Sequence, residues 1–381
     1  MISCESISKE RSIEPPGLDR EALLALWNQP IRLFSLANLL RERTCGNRVS
    51  FVINRNINFT NMCVGSCSFC AFRKKDGYIL SKEEILQRVE EAETLGATEI
   101  CLQGGLLPDM VVEDYCLLLE VIRSHFSRIH LHAFSPMEVW HMARNSGVGI
   151  RDALLDLKGA GLGSMPGTAA EILVDRVRQA ICPEKLGSSE WSYVVGEAHL
   201  LGIPSTCTML YGHVESLEDR LEHLEVLRRI QERTGGFTEF VLLPFIPGNN
   251  ALGMRSRNAD LLEHLKMHAL SRVALHPLIT NIQTSWVKLG REAAGACLEW
   301  GVNDLGGTLI EENISRSAGS LEGQCLSPQQ LCEIIEEHGR VPVERTTLYE
   351  PVERPIPVWR EPDLINDRPI PGISGGRFTR R

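Results

Sequence analysis

The feature that most constrains the fold of this chain is an alternation of short β-rich runs and amphipathic helices that begins near residue 47. Eight strands are predicted, at 50–53, 99–103, 129–133, 161–164, 205–209, 240–243, 279–283 and 303–305. A helix between successive strands allows them to run parallel, because each crossover then covers the sheet. The pattern predicts an α/β fold, a (βα)8 TIM-type barrel, with a doubly wound open sheet as the second choice.

Two helices have ends that can be read from the residues. Ser81 and Glu84 have capping-box spacing ahead of an apolar stripe. A second helix is predicted over 217–234, where leucines recur every three or four positions before Gly235 and Gly236. Such ends support the alternation of helix and strand.

The segments on either side of the alternation differ from it in composition. Residues 1–46 carry leucines at mixed three- and four-residue spacing, which predicts an N-terminal helical extension. Residues 340–381 hold seven of the 19 prolines, which predicts an irregular, Pro-rich C-terminal tail with 378–381 loose. We therefore expect a barrel over 47–339 between these two segments.

Charge and hydropathy exclude several classes of protein. Forty Lys and Arg against 49 Asp and Glu give a net charge of −9 without a basic stripe, which disfavours a nucleic-acid partner. There is no long apolar run and no apolar segment behind the first charges, so neither a membrane span nor an export signal is expected. We expect a cytoplasmic protein whose 12 cysteines are mostly reduced.

Three of the cysteines are clustered in a C-x3-C-x2-C loop, Cys63, Cys67 and Cys70, directly after a strand-like run at 56–60. Structural zinc sites usually take four protein ligands, and no second cysteine or histidine pair follows here. Three thiolates in one loop instead suit a 4Fe-4S cluster with one iron left open. Thiolates that merely pack together would be costly to ionise so close to one another.

Polar residues at the predicted strand ends are further candidates for a site, because barrel enzymes build their sites at the carboxyl ends of the strands. Ser135 also begins a helix with Glu138 in capping-box spacing, so Glu138 is expected to cap the helix. The candidates for substrate contact or catalysis are His132, Tyr211, His213 and Asp304. The candidates for cofactor contact at these strand ends are Gln103, Gly104, Gly105, Ser135 and Glu171.

The cysteine loop at the end of the first barrel strand resembles that of the radical S-adenosylmethionine (SAM) enzymes, over roughly 47–345. This resemblance implies that the three cysteines hold one 4Fe-4S cluster whose open iron binds the methionine end of SAM. SAM is then consumed as a co-substrate and yields a 5'-deoxyadenosyl radical. The resemblance also implies that Phe69 lies beside the adenine and that Gly104 and Gly105 belong to the motif that holds the SAM amino group.

Further strings narrow the resemblance: NRNINFTN, LQGGLLP, HAFSP, PGTAAEIL, NIQTSWVKLG and NDLGGTLIEENISRSAG are similar to CofH, the tyrosine-using subunit family of FO (deazaflavin) synthase. This implies transfer of the 4-hydroxybenzyl group of L-tyrosine to C5 of 5-amino-6-(D-ribitylamino)uracil, with release of 2-iminoacetate. It also implies the partner subunit CofG and an electron donor. The alternatives are a radical SAM enzyme of futalosine-dependent menaquinone synthesis and a non-catalytic iron-sulfur protein.

Overall fold

The computed structural model describes residues 19–322 and 325–360. Its helices are α1 (Arg20–Trp27), α2 (Pro30–Cys45), α3 (Lys82–Thr94), α4 (Val112–His125), α5 (Pro136–Ser146), α6 (Ile150–Gly159), α7 (Asp175–Ile181), α8 (Ser188–Leu200), α9 (Leu217–Thr234), α10 (Leu261–Leu275), α11 (Trp286–Leu289), α12 (Arg291–Cys297), α13 (Ile314–Ala318) and α14 (Pro328–Glu337). Its strands are β1 (Arg48–Val52), β2 (Asn54–Asn58), β3 (Glu99–Gln103), β4 (His130–Ala133), β5 (Ser205–Tyr211), β6 (Phe237–Pro244), β7 (Ile282–Thr284), β8 (Asp304–Gly307) and β9 (Val341–Glu344).

All the pairings between these strands are parallel. One sheet has the order β5-β6-β7-β8-β1-β9 and the other the order β2-β3-β4. Single parallel bridges, His132 to Ser164 and Met165 to Ser205, continue the pairing from β4 to β5. The α/β fold with a parallel sheet that the alternation predicts is confirmed.

The prediction of a strand at 161–164 is wrong, since only Ser164 and Met165 pair there and each makes a single bridge. Gly161 follows α6 in a left-handed conformation with φ 111°, so the extended run starts late. Pro166 then ends it, because proline has no N–H to donate to a neighbouring strand. The stretch between α6 and α7 is therefore mostly loop.

The helix predicted over 217–234 is confirmed as α9, with Gly235 in the left-handed conformation at its C-terminus. The capping box at Ser81 and Glu84 is confirmed as well, because each side chain bonds the other residue's backbone N–H. These ends form as predicted because the cap depends on residues only three positions apart.

The two segments outside the alternation both contact the rest of the fold. Helix α2 packs on α10, and its Phe34 lies 4.7 Å from Trp300 between ring centroids. Strand β9 pairs with β1 over four residues, so part of the proline-rich segment belongs to the sheet. The predictions for 1–18 and 361–381, including the loose end at 378–381, lie outside the described residues.

The core is formed by the apolar faces of the helices where they pack on the strands. Within the described ranges, no helix combines the length and the apolar character that crossing a bilayer requires.

Candidate active site

A cavity of about 790 Å³ lies among the carboxyl ends of the strands and the loops that follow them. Most of the predicted site residues line it: Cys63, Cys67, Phe69, Cys70, Gln103, Gly104, Gly105, His132, Ser135 and Glu171. Tyr211, His213 and Asp304 are not among the lining residues. The structure thus brings the cysteine loop and the expected cofactor contacts to one cavity.

The cysteine loop is fixed by hydrogen bonds to distant parts of the chain. The backbone N–H and hydroxyl of Ser68 both donate to the carbonyl of Ile181, at 2.9 Å each. The carbonyl of Ser68 accepts from the N–H of Leu252, also at 2.9 Å, and Val64 donates to Leu106. The end of α7 and the loops that follow β3 and β6 therefore hold the cysteine loop in place over the cavity.

The three thiols of the loop are half-buried, and none forms a disulfide. Burial raises the pKa of Cys67, the nearby ammonium of Lys185 opposes this, and the other two thiols raise the pKa further. A buried thiol whose ionisation its neighbours oppose is favourable to ionise only when a cation compensates it. This environment is typical of metal ligands.

A single metal ion does not fit these thiols, since in the described part of the chain no three His, Cys, Asp or Glu side chains are arranged around one ion. A cubane cluster needs no such convergence, because each cysteine binds a different iron atom. Three free, half-buried cysteines facing a cavity fit a 4Fe-4S cluster with one iron that the protein does not bind.

Two glycines allow the cysteine loop to pack directly on the end of β3. A Cβ on Gly105 would lie 2.0 Å from the carbonyl oxygen of Met62 and 2.9 Å from the Cβ of Cys63. A Cβ on Gly104 would lie 2.4 Å from the ring of Phe59. These glycines are expected to let a ligand approach the backbone. They also allow the cysteine loop and the ring of Phe59 to pack closely against it.

Glu138 caps α5, as its spacing predicts, and it also lines the cavity. Its carboxylate accepts from the N–H of Gly104 at 3.0 Å and from both the N–H and the hydroxyl of Ser135 at 2.7 Å. Burial raises the pKa of Glu138 to about 7, although these hydrogen bonds oppose the shift. One side chain therefore joins the glycine edge of β3 to the start of α5.

Glu171 forms an ion pair with Lys185 across the cavity wall, at 2.6 Å. Lys185 also lies 5.2 Å from the centroid of the Phe69 ring. Burial alone would lower the pKa of Lys185, but Glu171 and the neighbouring thiols raise it, so the group stays charged. Glu171 has a left-handed backbone with φ 46°, a conformation that is rare for a residue with a side chain and that recurs at functional sites.

His132 is the one member of the four catalytic candidates that lines the cavity. Its Nδ1 lies 2.7 Å from the hydroxyl of Ser164, which is also 2.7 Å from Nε2 of His130. Burial lowers the pKa of His132 to about 4, so the imidazole is neutral at pH 7. It can therefore form hydrogen bonds there without carrying a charge.

The other three candidates form structural contacts around the cavity. The hydroxyl of Tyr211 lies 2.8 Å from Nδ1 of His264. His213 is enclosed in its own loop, where Nδ1 accepts from Val214 at 2.7 Å and Nε2 lies 3.0 Å from the carbonyl of Leu210. Asp304 accepts from Arg345 at 2.6 Å.

Arg345 and Glu239 also line the cavity, although no sequence pattern indicated either of them. The guanidinium of Arg345 also reaches Glu239, at 3.2 Å. Burial raises the pKa of Glu239 to about 7, opposed by Arg345. Arg345 lies in the segment expected to be a tail, and its local sequence does not indicate that its side chain lines the cavity.

Two family models match the chain: the radical SAM superfamily over residues 57–227 and the CofH/MqnC C-terminal region over residues 234–358. Among solved structures, methylornithine synthase (PylB) superimposes with a TM-score of 0.69 at 18% identity, covering 86% of this chain and 95% of that one. That likeness establishes the fold. Together with the cysteine loop, these matches define a radical SAM protein.

Closer relatives identify the family within this class. A Methanosarcina barkeri protein named 5-amino-6-(D-ribitylamino)uracil--L-tyrosine 4-hydroxyphenyl transferase 1 is 52% identical over 348 residues, which are 90% of this chain and 93% of the relative. An Archaeoglobus fulgidus protein of the same function name is 50% identical over 328 residues, 86% of this chain and 96% of the relative. The chain belongs to this transferase family, CofH, as the sequence motifs predict.

Proposed function

We propose that this protein transfers the 4-hydroxybenzyl group of L-tyrosine to C5 of 5-amino-6-(D-ribitylamino)uracil, with release of 2-iminoacetate, in FO biosynthesis. The observation that carries the proposal is the 52% identity to a transferase of that name, over 93% of the relative's length. The placement of the cysteine loop and the expected cofactor contacts around one cavity supports it.

The cofactors proposed are one 4Fe-4S cluster, held by Cys63, Cys67 and Cys70, and SAM. When bound, they supply the electron and the 5'-deoxyadenosyl radical that begin the reaction. The chain's own residues hold the three thiols in place through Ser68 and keep the loop against the end of β3 through Gly105. A radical site also needs protection from water and stray hydrogen donors, which an enclosed (βα)8 barrel would provide.

The remaining cavity residues have proposed roles that follow from their contacts. Phe69, beside Lys185, would contact the adenine, and Glu171 retains acceptor capacity for the ribose hydroxyls beyond its ion pair. Gln103, Gly104, Gly105 and Ser135 would surround the methionine end, with Glu138 holding Gly104 and Ser135 in register. His132, neutral at pH 7, is the proposed hydrogen-bonding partner of the substrate.

An anaerobic assay tests the proposed function. The reconstituted protein is incubated with dithionite, SAM, L-tyrosine and 5-amino-6-(D-ribitylamino)uracil (the diaminouracil), and the products are analysed by mass spectrometry. A 4-hydroxybenzyl adduct of the uracil together with 5'-deoxyadenosine is the expected result. Formation of 5'-deoxyadenosine without the adduct would contradict the substrates, and dehypoxanthine futalosine would be tried next. We further propose that the product passes to the partner subunit CofG.

The three cysteines are expected to act as a unit. Cys63→Ala, Cys67→Ala or Cys70→Ala should each abolish cluster binding and 5'-deoxyadenosine formation, because two thiolates cannot hold the cluster. Iron and sulfide content per chain are the direct measurements. Cys332→Ala is the matched control, since this half-buried cysteine on α14 is not among the cavity residues and should leave both unchanged. Normal 5'-deoxyadenosine formation by Cys70→Ala would contradict the proposed ligand set.

A further inference from the structure

Five cationic side chains of the described residues line the cavity, and four of them are accounted for. Arg73 and Arg144 are exposed to solvent. Lys185 pairs with Glu171 and Arg345 with Asp304. The fifth cation is Lys288, which is half-buried and, within 19–322 and 325–360, has no hydrogen bond or ion pair from its side chain.

The position of Lys288 is fixed by the residues around it. It lies on the short helix α11, and its backbone N–H donates to the carbonyl of Ser285 at 3.1 Å. The preceding Trp286 is fully buried, and its indole N–H donates to the carbonyl of Gly307 at 2.9 Å. The ammonium is therefore presented to the cavity from a rigid support.

Glu312 is the carboxylate with the strongest electrostatic effect on Lys288. It also lines the cavity and is buried, and it accepts the N–H groups of Ile314 at 3.1 Å and Ser315 at 3.0 Å. Burial raises the pKa of Glu312, and Lys288 opposes this. No ion pair joins the two groups within 4.0 Å, so two opposite charges face one cavity without touching.

We propose that Lys288 binds the α-carboxylate of the amino-acid substrate and that Glu312 binds its α-ammonium group. A zwitterion satisfies both charges at once: its carboxylate gives Lys288 an ionic partner, and its ammonium gives Glu312 a cationic partner beside the two backbone N–H groups. This inference rests on the proposed function, in which L-tyrosine carries a carboxylate and the uracil substrate does not. A half-buried ammonium without a partner is costly to keep, which favours a role in binding over a role in stability.

Steady-state kinetics of Lys288→Met test the assignment. The KM for L-tyrosine should rise at least about tenfold, which corresponds to the loss of about 1.4 kcal/mol. The KM for the diaminouracil should stay within about twofold, because that substrate does not meet the ammonium. Lys288→Arg, which keeps the charge, should recover part of the affinity for L-tyrosine.

A substrate without the carboxylate provides a second test. Wild-type protein should prefer L-tyrosine over tyramine, and Lys288→Met should lose most of that preference. Lys158→Met is the matched control, since Lys158 is exposed on α6 and donates only to the carbonyl of Leu201. Thermal melting and iron content should match the wild type in every variant compared. An equal rise of both KM values, or no change for L-tyrosine, would overturn the assignment.

Equilibrium dialysis of labelled L-tyrosine separates this inference from the proposed function. The reconstituted protein is loaded with SAM and left unreduced, so that binding is measured without turnover. If wild-type protein binds L-tyrosine and Lys288→Met does not, the inference is supported even when no adduct forms in the assay. In that case only the proposed reaction is contradicted. Binding that persists in Lys288→Met overturns the inference and leaves the reaction intact.

Discussion

At Gly105, two residues after the end of β3, the backbone meets the cysteine loop so closely that no side chain fits between them. Gly105→Ala is expected to push the loop away from the strand, because the new methyl group would collide with the Met62 carbonyl and with Cys63. Backbone cannot yield as the tip of a flexible side chain can. We expect the variant to bind less than half of the wild-type iron after reconstitution, measured as iron content per chain.

Gly159→Ala is the control for this prediction. Gly159 lies at the end of α6, and a Cβ added there would meet nothing within 4 Å. Alanine is also the better helix former, so the variant should be as stable as the wild type or more so. Equal iron content in Gly105→Ala and Gly159→Ala would show that the close packing at Gly105 does not position the loop.

The residues of the site differ in how far the sequence could locate them. The cysteines and Phe69 share one short loop, so their spacing in the sequence is enough to predict that they lie together. Tyr211 is different, because side chains alternate between the two faces of a strand. Thr206, Thr208 and Leu210 of β5 face the cavity, so the next residue, Tyr211, faces the other side and contacts α10. Every residue of β5 is buried, so no polar alternation in the sequence shows which face points inward.

At the scale of the elements, the helices with local caps were predictable and β9 was not. A capping box joins residues three positions apart, whereas β9 is defined by its pairing with β1. Arg345, which follows β9, then compensates Asp304 and Glu239 from other strands. A proline-rich composition describes the local chain and carries no information on such distant partners.

Arg345→Met tests the contribution of this element. It leaves Asp304 and Glu239 buried without their cation, which is expected to lower the free energy of unfolding by about 3–5 kcal/mol. Urea denaturation of the purified protein measures the change. Arg291→Met is the comparison, because Arg291 and Glu333 form an exposed pair at 3.6 Å, expected to contribute at most about 1 kcal/mol. Similar losses in both variants would refute the role given to Arg345.

At the scale of the whole molecule, buried histidines should make stability depend on pH. Burial lowers the pKa of His132, His199 and His268 to about 4, and that of His223 to about 3. Between pH 6.5 and 4.5 the unfolded chain binds protons at these four sites and the native protein does not. Stability from this source is therefore present above pH 6.5 and is lost as the pH falls toward 4.

Glu138 and Glu239 act in the opposite direction, since burial raises the pKa of each to about 7. Between pH 4.5 and 7 the native protein holds these two protons and the unfolded chain releases them. Among these six groups, four histidines against two carboxyls leave about two more protons on the unfolded chain near pH 5.5. The contribution of these groups to the free energy of unfolding should thus fall by about 2–3 kcal/mol for each pH unit that the pH is lowered near pH 5.5. Urea midpoints at pH 6.5 and 5.5 measure this, and equal midpoints would contradict it.

The pairing of β1 has a consequence for how the protein is made. Strand β1 lies between β8 and β9, and its Ser50 pairs with Asp304 on one side and Val343 on the other. Both neighbours are synthesised long after β1 and the cysteine loop. During synthesis, both edges of β1 are therefore unpaired and can form non-native pairings. Arg345 and Thr347, which line the cavity, arrive later still. The three cysteines of the loop are therefore among the first parts of the site to be synthesised, and Arg345 and Thr347 are among the last.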